Sequence, residues 1–64
     1  MNEEAVAAFK LATICMEHAK SNPLKAMDWM RHLVEEEGYL AKNGLESNVV
    51  FLASRIVLGQ GTAH

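Results

Sequence analysis

One proline and four glycines interrupt an otherwise helix-favouring chain of 64 residues, and they divide it into three segments. The first segment spans Asn2 to Lys20, the second runs from Pro23 to Lys42, and the third is residues 49–58. In the first two, apolar side chains recur three and four positions apart, which is the spacing of an amphipathic helix. The sequence therefore predicts an all-α fold built from two or three helices.

The start of the second helix is easier to predict than its end. Asn22 followed by Pro23 predicts a helix N-terminus, because the asparagine caps free backbone N–H groups and proline has no N–H to satisfy. Gly38 could end the helix, but three glutamates, residues 35–37, would then lie at the negative end of the helix dipole. We therefore expect the helix to continue to Lys42, with a break near the glycine as the alternative.

The third segment, residues 49–58, is rich in β-branched side chains and could form a strand, but the rest of the chain offers no partner strand. It is therefore interpreted as a buried helix that ends at Gly59, followed by a loose tail over residues 60–64. Residues 1–64 then form a single domain, a helical hairpin plus a C-terminal helix.

The amount of apolar surface predicts self-association. A chain of 64 residues buries only a marginal core, and the lone cysteine, Cys15, cannot form an internal disulfide. Half of the residues are hydrophobic, and the first and third helices are apolar on nearly every side. Three short helices cannot cover that much apolar surface, so we expect a symmetric helical-bundle dimer.

The predicted interface lies on one edge of the first helix. The alanine-rich face of that helix permits close packing within the chain, which leaves Ala7, Leu11 and Ile14 for contact between chains. The aromatic side chains of Trp29 and Phe51 complete the predicted interface, because tryptophan is among the residues that carry most binding energy and aromatic residues are enriched at interfaces. Each large side chain on the Leu11 edge is expected to be buried only in the dimer.

Two clusters could carry chemistry. Asp28, His32 and Glu35 share one helix face at a spacing that can hold a metal, and Cys15 has His18 three residues further on. We interpret the first cluster as a solvated helix face and the second as a buried thiol near a histidine that favours the helix C-terminus. The expectation is a non-enzyme without catalytic residues, cofactor or metal.

Residues 36–55 resemble a helix-turn-helix, with Ala41, then Gly44 in the turn, then a polar helix start. The second helix would offer Glu46 and Phe51, whereas side chains that read base edges are Arg, Lys, Gln or Asn. The net charge of −2 also argues against nucleic acid, whose binding depends on phosphate neutralisation. A DNA-binding regulator with a degenerate helix-turn-helix is therefore the alternative function.

The lone cysteine fits a reducing compartment, and the acidic start of the chain does not resemble a signal peptide. The charge-free stretches on either side of Arg55 fall well short of the roughly 20 apolar residues that span a bilayer. We therefore expect a cytoplasmic, non-membrane protein. Its predicted function is that of a homodimeric regulator or inhibitor, of the bacterial or phage kind, that binds an unidentified protein through apolar helix faces.

Overall fold

The computed structural model describes the backbone of residues 2–62 and the side chains of residues 2–59. Four α-helices make up this part of the chain: α1 (Glu3–His18), α2 (Pro23–Glu35), α3 (Tyr39–Lys42) and α4 (Asn48–Thr62). Residues 2–62 contain no strand, so the predicted all-α fold is confirmed. None of these four helices is both long and apolar enough to cross a bilayer.

Asparagine side chains cap the first turns of α1 and α2. Oδ1 of Asn2 accepts a hydrogen bond from the backbone N–H of Glu4 at 2.7 Å, and Oδ1 of Asn22 accepts one from Lys25 at 3.1 Å. Pro23 occupies the first turn of α2, where its missing N–H leaves no hydrogen bond unmade. The predicted start of the second helix is confirmed.

A left-handed turn ends α1 and begins the hairpin. The N–H of Ser21 donates to the carbonyl of Met16 at 2.8 Å, and the N–H of Lys20 donates to that of Glu17 at 3.2 Å, which is the Schellman pattern. Lys20 and Ser21 have φ values of 53° and 67°, which are uncommon for residues with a side chain. Residues 19–22 thereby reverse the chain and return α2 against α1.

The chain breaks at Gly38, so the predicted continuous helix to Lys42 is wrong and the alternative break is correct. Gly38 has a φ of 68°, a left-handed conformation that separates α2 from α3 and suits glycine. The glutamates, residues 35–37, are exposed, where an unfavourable interaction with the helix dipole amounts to only about 0.3–1 kcal/mol. The break lets Tyr39 and Leu40 pack against the core.

A second Schellman turn ends α3. The N–H of Leu45 donates to the carbonyl of Leu40 at 2.8 Å, and the N–H of Gly44 donates to that of Ala41 at 3.2 Å. Gly44 has a φ of 62°, so this position also suits glycine. The helical part of the second segment therefore ends at Lys42 as predicted, but in α3 rather than in α2.

The predicted third helix is present as α4, with different bounds. It begins at Asn48 and continues past Gly59 to Thr62, so the prediction that Gly59 ends the helix is wrong. A glycine within a helix costs about 0.5–1 kcal/mol relative to alanine, which does not suffice to stop it. Of the loose tail expected at residues 60–64, residues 60–62 belong to α4, and residues 63–64 lie outside the described residues.

The core lies among α1, α2 and α4, and alanines make up half of it. Its buried residues are Ala8, Leu11, Ala12, Cys15 and Ala19 from α1 and its C-cap, Ala26 and Met30 from α2, and Val49, Ala53 and Val57 from α4. Most of the alanine-rich face of α1 thus packs within the chain, as expected. Small side chains at these contacts let helices approach closely.

Leu11 belongs to this core, and the expectation that it is buried only in a dimer is wrong. Its side chain is 0% exposed within one chain. Because α1 packs against both α2 and α4, the buried part of its surface is broader than the alanine-rich face and includes Leu11. A second copy would therefore bury nothing more of this side chain.

Polar contacts place α4 against both other long helices. Nδ2 of Asn48 donates to Oε1 of Glu4 at 3.2 Å, so α1 and α4 begin at the same end of the molecule. Oγ of Ser54 lies 3.6 Å from Sδ of Met30, midway along α2. The chain measures 33 × 28 × 15 Å along its principal axes, and this flat shape leaves much of each helix facing outward.

Replacing Gly38 by alanine should destabilise the fold, whereas the same change at Gly59 should stabilise it. A Cβ at either position meets open space, so the difference arises from the backbone. The left-handed φ of Gly38 costs alanine about 1–2 kcal/mol, while within α4 alanine is favoured over glycine by about 0.5–1 kcal/mol. Urea unfolding followed by circular dichroism measures both changes. Stabilisation by Gly38→Ala, as expected for a glycine within a continuous helix, would contradict the break at Gly38.

Candidate protein-interaction surface

Large apolar side chains are exposed on three helices. They are Val6 (40%), Phe9 (57%) and Ile14 (42%) on α1, Leu24 (75%) on α2, and Phe51 (71%) and Leu58 (47%) on α4. Single exposed apolar residues are common in soluble proteins, but those on α1 and on α4 form two groups, each confined to the outer surface of one helix. These two groups define the candidate interaction surface.

The α4 face consists of Phe51, Arg55 and Leu58. It lies opposite the side of α4 that enters the core through Val49, Ala53 and Val57. Arg55 is the one charged residue in the sequence of α4, and within the described residues it makes no ion pair. The α4 face is therefore an apolar surface around a single cation.

The α1 face consists of the outward residues Val6, Phe9, Lys10, Thr13, Ile14 and Glu17. Four of them, from Phe9 to Ile14, line an open groove of about 480 Å³ together with Tyr39 and Asn43. The groove therefore combines two exposed apolar side chains, Phe9 and Ile14, with the polar groups of Lys10, Thr13, Tyr39 and Asn43.

The predicted interface residues are divided between these faces and the core. Ile14 lines the groove of the α1 face, and Phe51 belongs to the α4 face. Ala7 and Trp29 are partly buried against the core, and Leu11 lies within it. Binding at Ala7, Ile14, Trp29 and Phe51 stays a prediction, now without Leu11.

Trp29 already has aromatic partners within the chain. The imidazole of His18 stacks on its indole with centroids 3.7 Å apart and planes 9° apart, and His32 stacks at 5.0 Å and 22°. These contacts join the end of α1 to α2. Trp29 therefore acts first as a link between helices. The sequence offered a weak signal for His32, three residues beyond Trp29 on one helix face, and none for His18.

The polar face of α2 makes two close contacts between basic and acidic side chains. Nη2 of Arg31 lies 3.9 Å from Oδ1 of Asp28, with both side chains exposed, and Nε2 of His32 lies 3.4 Å from Oε2 of Glu37. Within the described residues, no group of three or more His, Cys, Asp or Glu side chains is arranged to hold a metal ion. Asp28, His32 and Glu35 line one open pocket with Arg31 and Glu36, but they are not arranged to hold a metal ion.

Cys15 is buried, as predicted, and its thiol is poorly suited to nucleophilic chemistry. Burial raises the pKa of Cys15 to about 11, so the thiol stays protonated at neutral pH. The pKa of the nearby Tyr39 is raised by its own burial and, to a lesser extent, by the charge of a Cys15 thiolate. These groups fit the interior of the protein rather than a reaction site.

Residues 36–55 do not have the geometry of the helix-turn-helix that their sequence resembles. The first helix of that motif would be α3, which has a single turn and follows a break at Gly38. Such motifs need two helices packed against each other across a turn, whereas α3 packs against α2. Phe51 and Leu58 occupy the exposed side of α4, where base-reading side chains would have to lie. The geometry thus departs from the motif at both helices.

No family model, curated protein or solved structure matches the chain. Its function is therefore argued from the two exposed faces and from the chemistry of the residues around them.

Cys15 in the native protein should react with a thiol reagent at pH 8 at least about 100-fold more slowly than in urea. The reactive form is the thiolate, and raising the pKa from 9.0 to about 11 lowers its fraction at pH 8 about 100-fold. Burial of the sulfur slows the reaction further because the reagent cannot reach it. The rate is measured from the absorbance of the coloured thiolate that a chromogenic disulfide releases. A native rate close to the unfolded rate would show that Cys15 is accessible and ionised.

The raised pKa of Cys15 makes the free energy of unfolding fall with pH in the alkaline range. The folded thiol keeps its proton to a higher pH than the unfolded one, so its stabilising contribution is complete below pH 9 and is lost as pH rises towards about 11. Urea midpoints at pH 8 and pH 10 measure the decline, and part of it should disappear in Cys15→Ala.

Random duplex DNA should not bind detectably at micromolar protein and near-physiological salt. The chain carries a net charge of −2, and the α4 face presents a single cation between apolar side chains. Fluorescence anisotropy of a labelled duplex measures binding. Tight association that weakens steeply with salt would restore the DNA-binding alternative despite the departure from the helix-turn-helix geometry.

Proposed function

We propose that this chain is a non-enzymatic protein-interaction module, a homodimeric cytoplasmic regulator or inhibitor that captures another protein through apolar helix faces. The observation that carries the proposal is the exposure of Phe51, 71% exposed on a helix whose opposite side is fully packed. Burying a phenylalanine side chain contributes roughly 1.5–3 kcal/mol, so covering Phe51 would add substantially to the binding free energy of a partner. Small bacterial or phage regulators of this kind act without a catalytic site.

The α4 face suits a different protein better than it suits a second copy. In a two-fold antiparallel contact of α4 with itself, Phe51 would approach Leu58 of the other copy, and Arg55 would face Arg55. Two like charges directly opposed disfavour that pairing. A partner with an acidic side chain surrounded by apolar ones would instead pair with Arg55 while burying Phe51 and Leu58.

The composition of the α4 face is that of an interface centre. Arginine is among the residues that most often dominate binding energy, and large aromatic side chains are enriched at interfaces. The neighbouring Leu52 and Ile56 are half-buried against the core and extend the apolar area beside the exposed residues. We propose that Phe51 is the anchor and that Arg55 selects partners by charge.

Phe51→Asp should abolish partner capture, whereas Leu24→Asp should not. Both residues are large, apolar and more than two-thirds exposed, but Leu24 lies on α2, outside the α4 face. A protein retained from the native host by immobilised wild type and by Leu24→Asp should be lost with Phe51→Asp. Its affinity should fall by at least about 30-fold, as for a hot-spot residue.

Circular dichroism spectra of the two variants should match that of wild type, because neither side chain belongs to the core. Equal retention by Phe51→Asp and Leu24→Asp would show that the α4 face does not bind. Retention of no protein above the background of an unrelated helical control would count against capture altogether.

A further inference from the structure

We infer that the α1 face is the self-association surface, with α1 packed antiparallel against α1 of a second copy in a register centred on Thr13 and Ile14. In this register Lys10 of each copy lies against the partner's Glu17. The inference rests on the homodimer of the proposed function and specifies the surface and the register that form it.

The charges of the α1 face are complementary only between copies. Lys10 and Glu17 are seven residues apart, which places them on the same side of α1 but about 10 Å apart along its axis, too far to pair with each other. Within the described residues neither makes an ion pair. A two-fold axis between Thr13 and Ile14 places Lys10 of each copy beside Glu17 of the other copy, so that two such pairs form, one on each side of the axis.

The same register brings the apolar residues of the α1 face into contact. A two-fold axis perpendicular to the helices keeps each edge of α1 beside the same edge of the partner helix. Ile14, 42% exposed, then meets Ile14 of the partner near the axis, and Phe9, 57% exposed, lies beside the partner's Met16, which is half-buried against the core. Burial of these isoleucine and phenylalanine side chains stabilises the dimer. The antiparallel arrangement also places the positive end of each helix dipole beside the negative end of the other.

Two other pairings of the same surface oppose like charges. A parallel arrangement places Lys10 against Lys10 and Glu17 against Glu17. An antiparallel register centred on Lys10 opposes the two lysines and places Glu3 against Glu17. The charge pattern thus favours one register by penalising the alternatives, which is how interfaces obtain specificity.

Charge reversal in the full chain tests this register. In sedimentation equilibrium the wild type should be dimeric at tens of micromolar and above, and its melting temperature should rise with protein concentration by mass action. Lys10→Glu and Glu17→Lys should each weaken the dimer about tenfold, because each turns two attractive contacts into repulsive ones. Lys25→Glu, an exposed lysine on α2, is the matched control and should leave the dimer unchanged.

Rescue separates the interface from an effect on folding. An equimolar mixture of Lys10→Glu and Glu17→Lys should form a heterodimer, because both intermolecular contacts are again complementary, and the double variant should recover the wild-type dissociation constant. Unchanged dimerisation in both single variants would overturn the register while leaving the homodimer in place. A wild type that stays monomeric at several hundred micromolar, with a concentration-independent melt, would overturn both the register and the homodimer.

Discussion

The rest of this structure depends on the close packing of α1 against α2 and α4 through alanines. Half of the buried residues among side chains 2–59 are alanine, and the largest fully buried side chain in that range is Leu11. Phe9 and Phe51 lie on the outward sides of α1 and α4, away from these contacts, and remain exposed. The exposed apolar faces are therefore the sides of α1 and α4 that the contacts within the chain do not cover.

Sequence periodicity predicted the helices and most of the core but misplaced Leu11. The helical wheel sets Leu11 beside Ala7 and Ile14, at the edge of the alanine-rich face, and a single packing face would leave that edge free. Two helices cover α1, and the second contact extends burial to Leu11 but not as far as Ile14. Such a boundary depends on how the neighbours cross α1, which no local pattern encodes.

The break at Gly38 illustrates a different limit. Two local terms can be compared from the sequence. Repulsion between the helix dipole and three glutamates disfavours a helix end at Gly38, and the cost of a glycine within a helix disfavours a continuous helix. Each term amounts to about 1 kcal/mol or less. Packing of Tyr39, Leu40 and Leu45 against the core decides the outcome, because burial of each large side chain is worth more than either local term. The stack of His18 on Trp29 escaped prediction for the same reason: it joins two helices whose relative position was unknown.

Folding and binding are linked because the helices that form the core also carry the exposed faces. An alanine buries little apolar area, so a 64-residue chain with this core has a small stability margin. A partner that binds only the folded chain adds about 2.7 kcal/mol when its concentration is 100 times its dissociation constant, which is a large fraction of such a margin. Occupation of the α1 face by a second copy would stabilise α1 against α4, and this would in turn preserve the α4 face on which Phe51 and Arg55 are presented. The proposed self-association and partner capture would then reinforce each other through the folding equilibrium, without any change in the shape of either face.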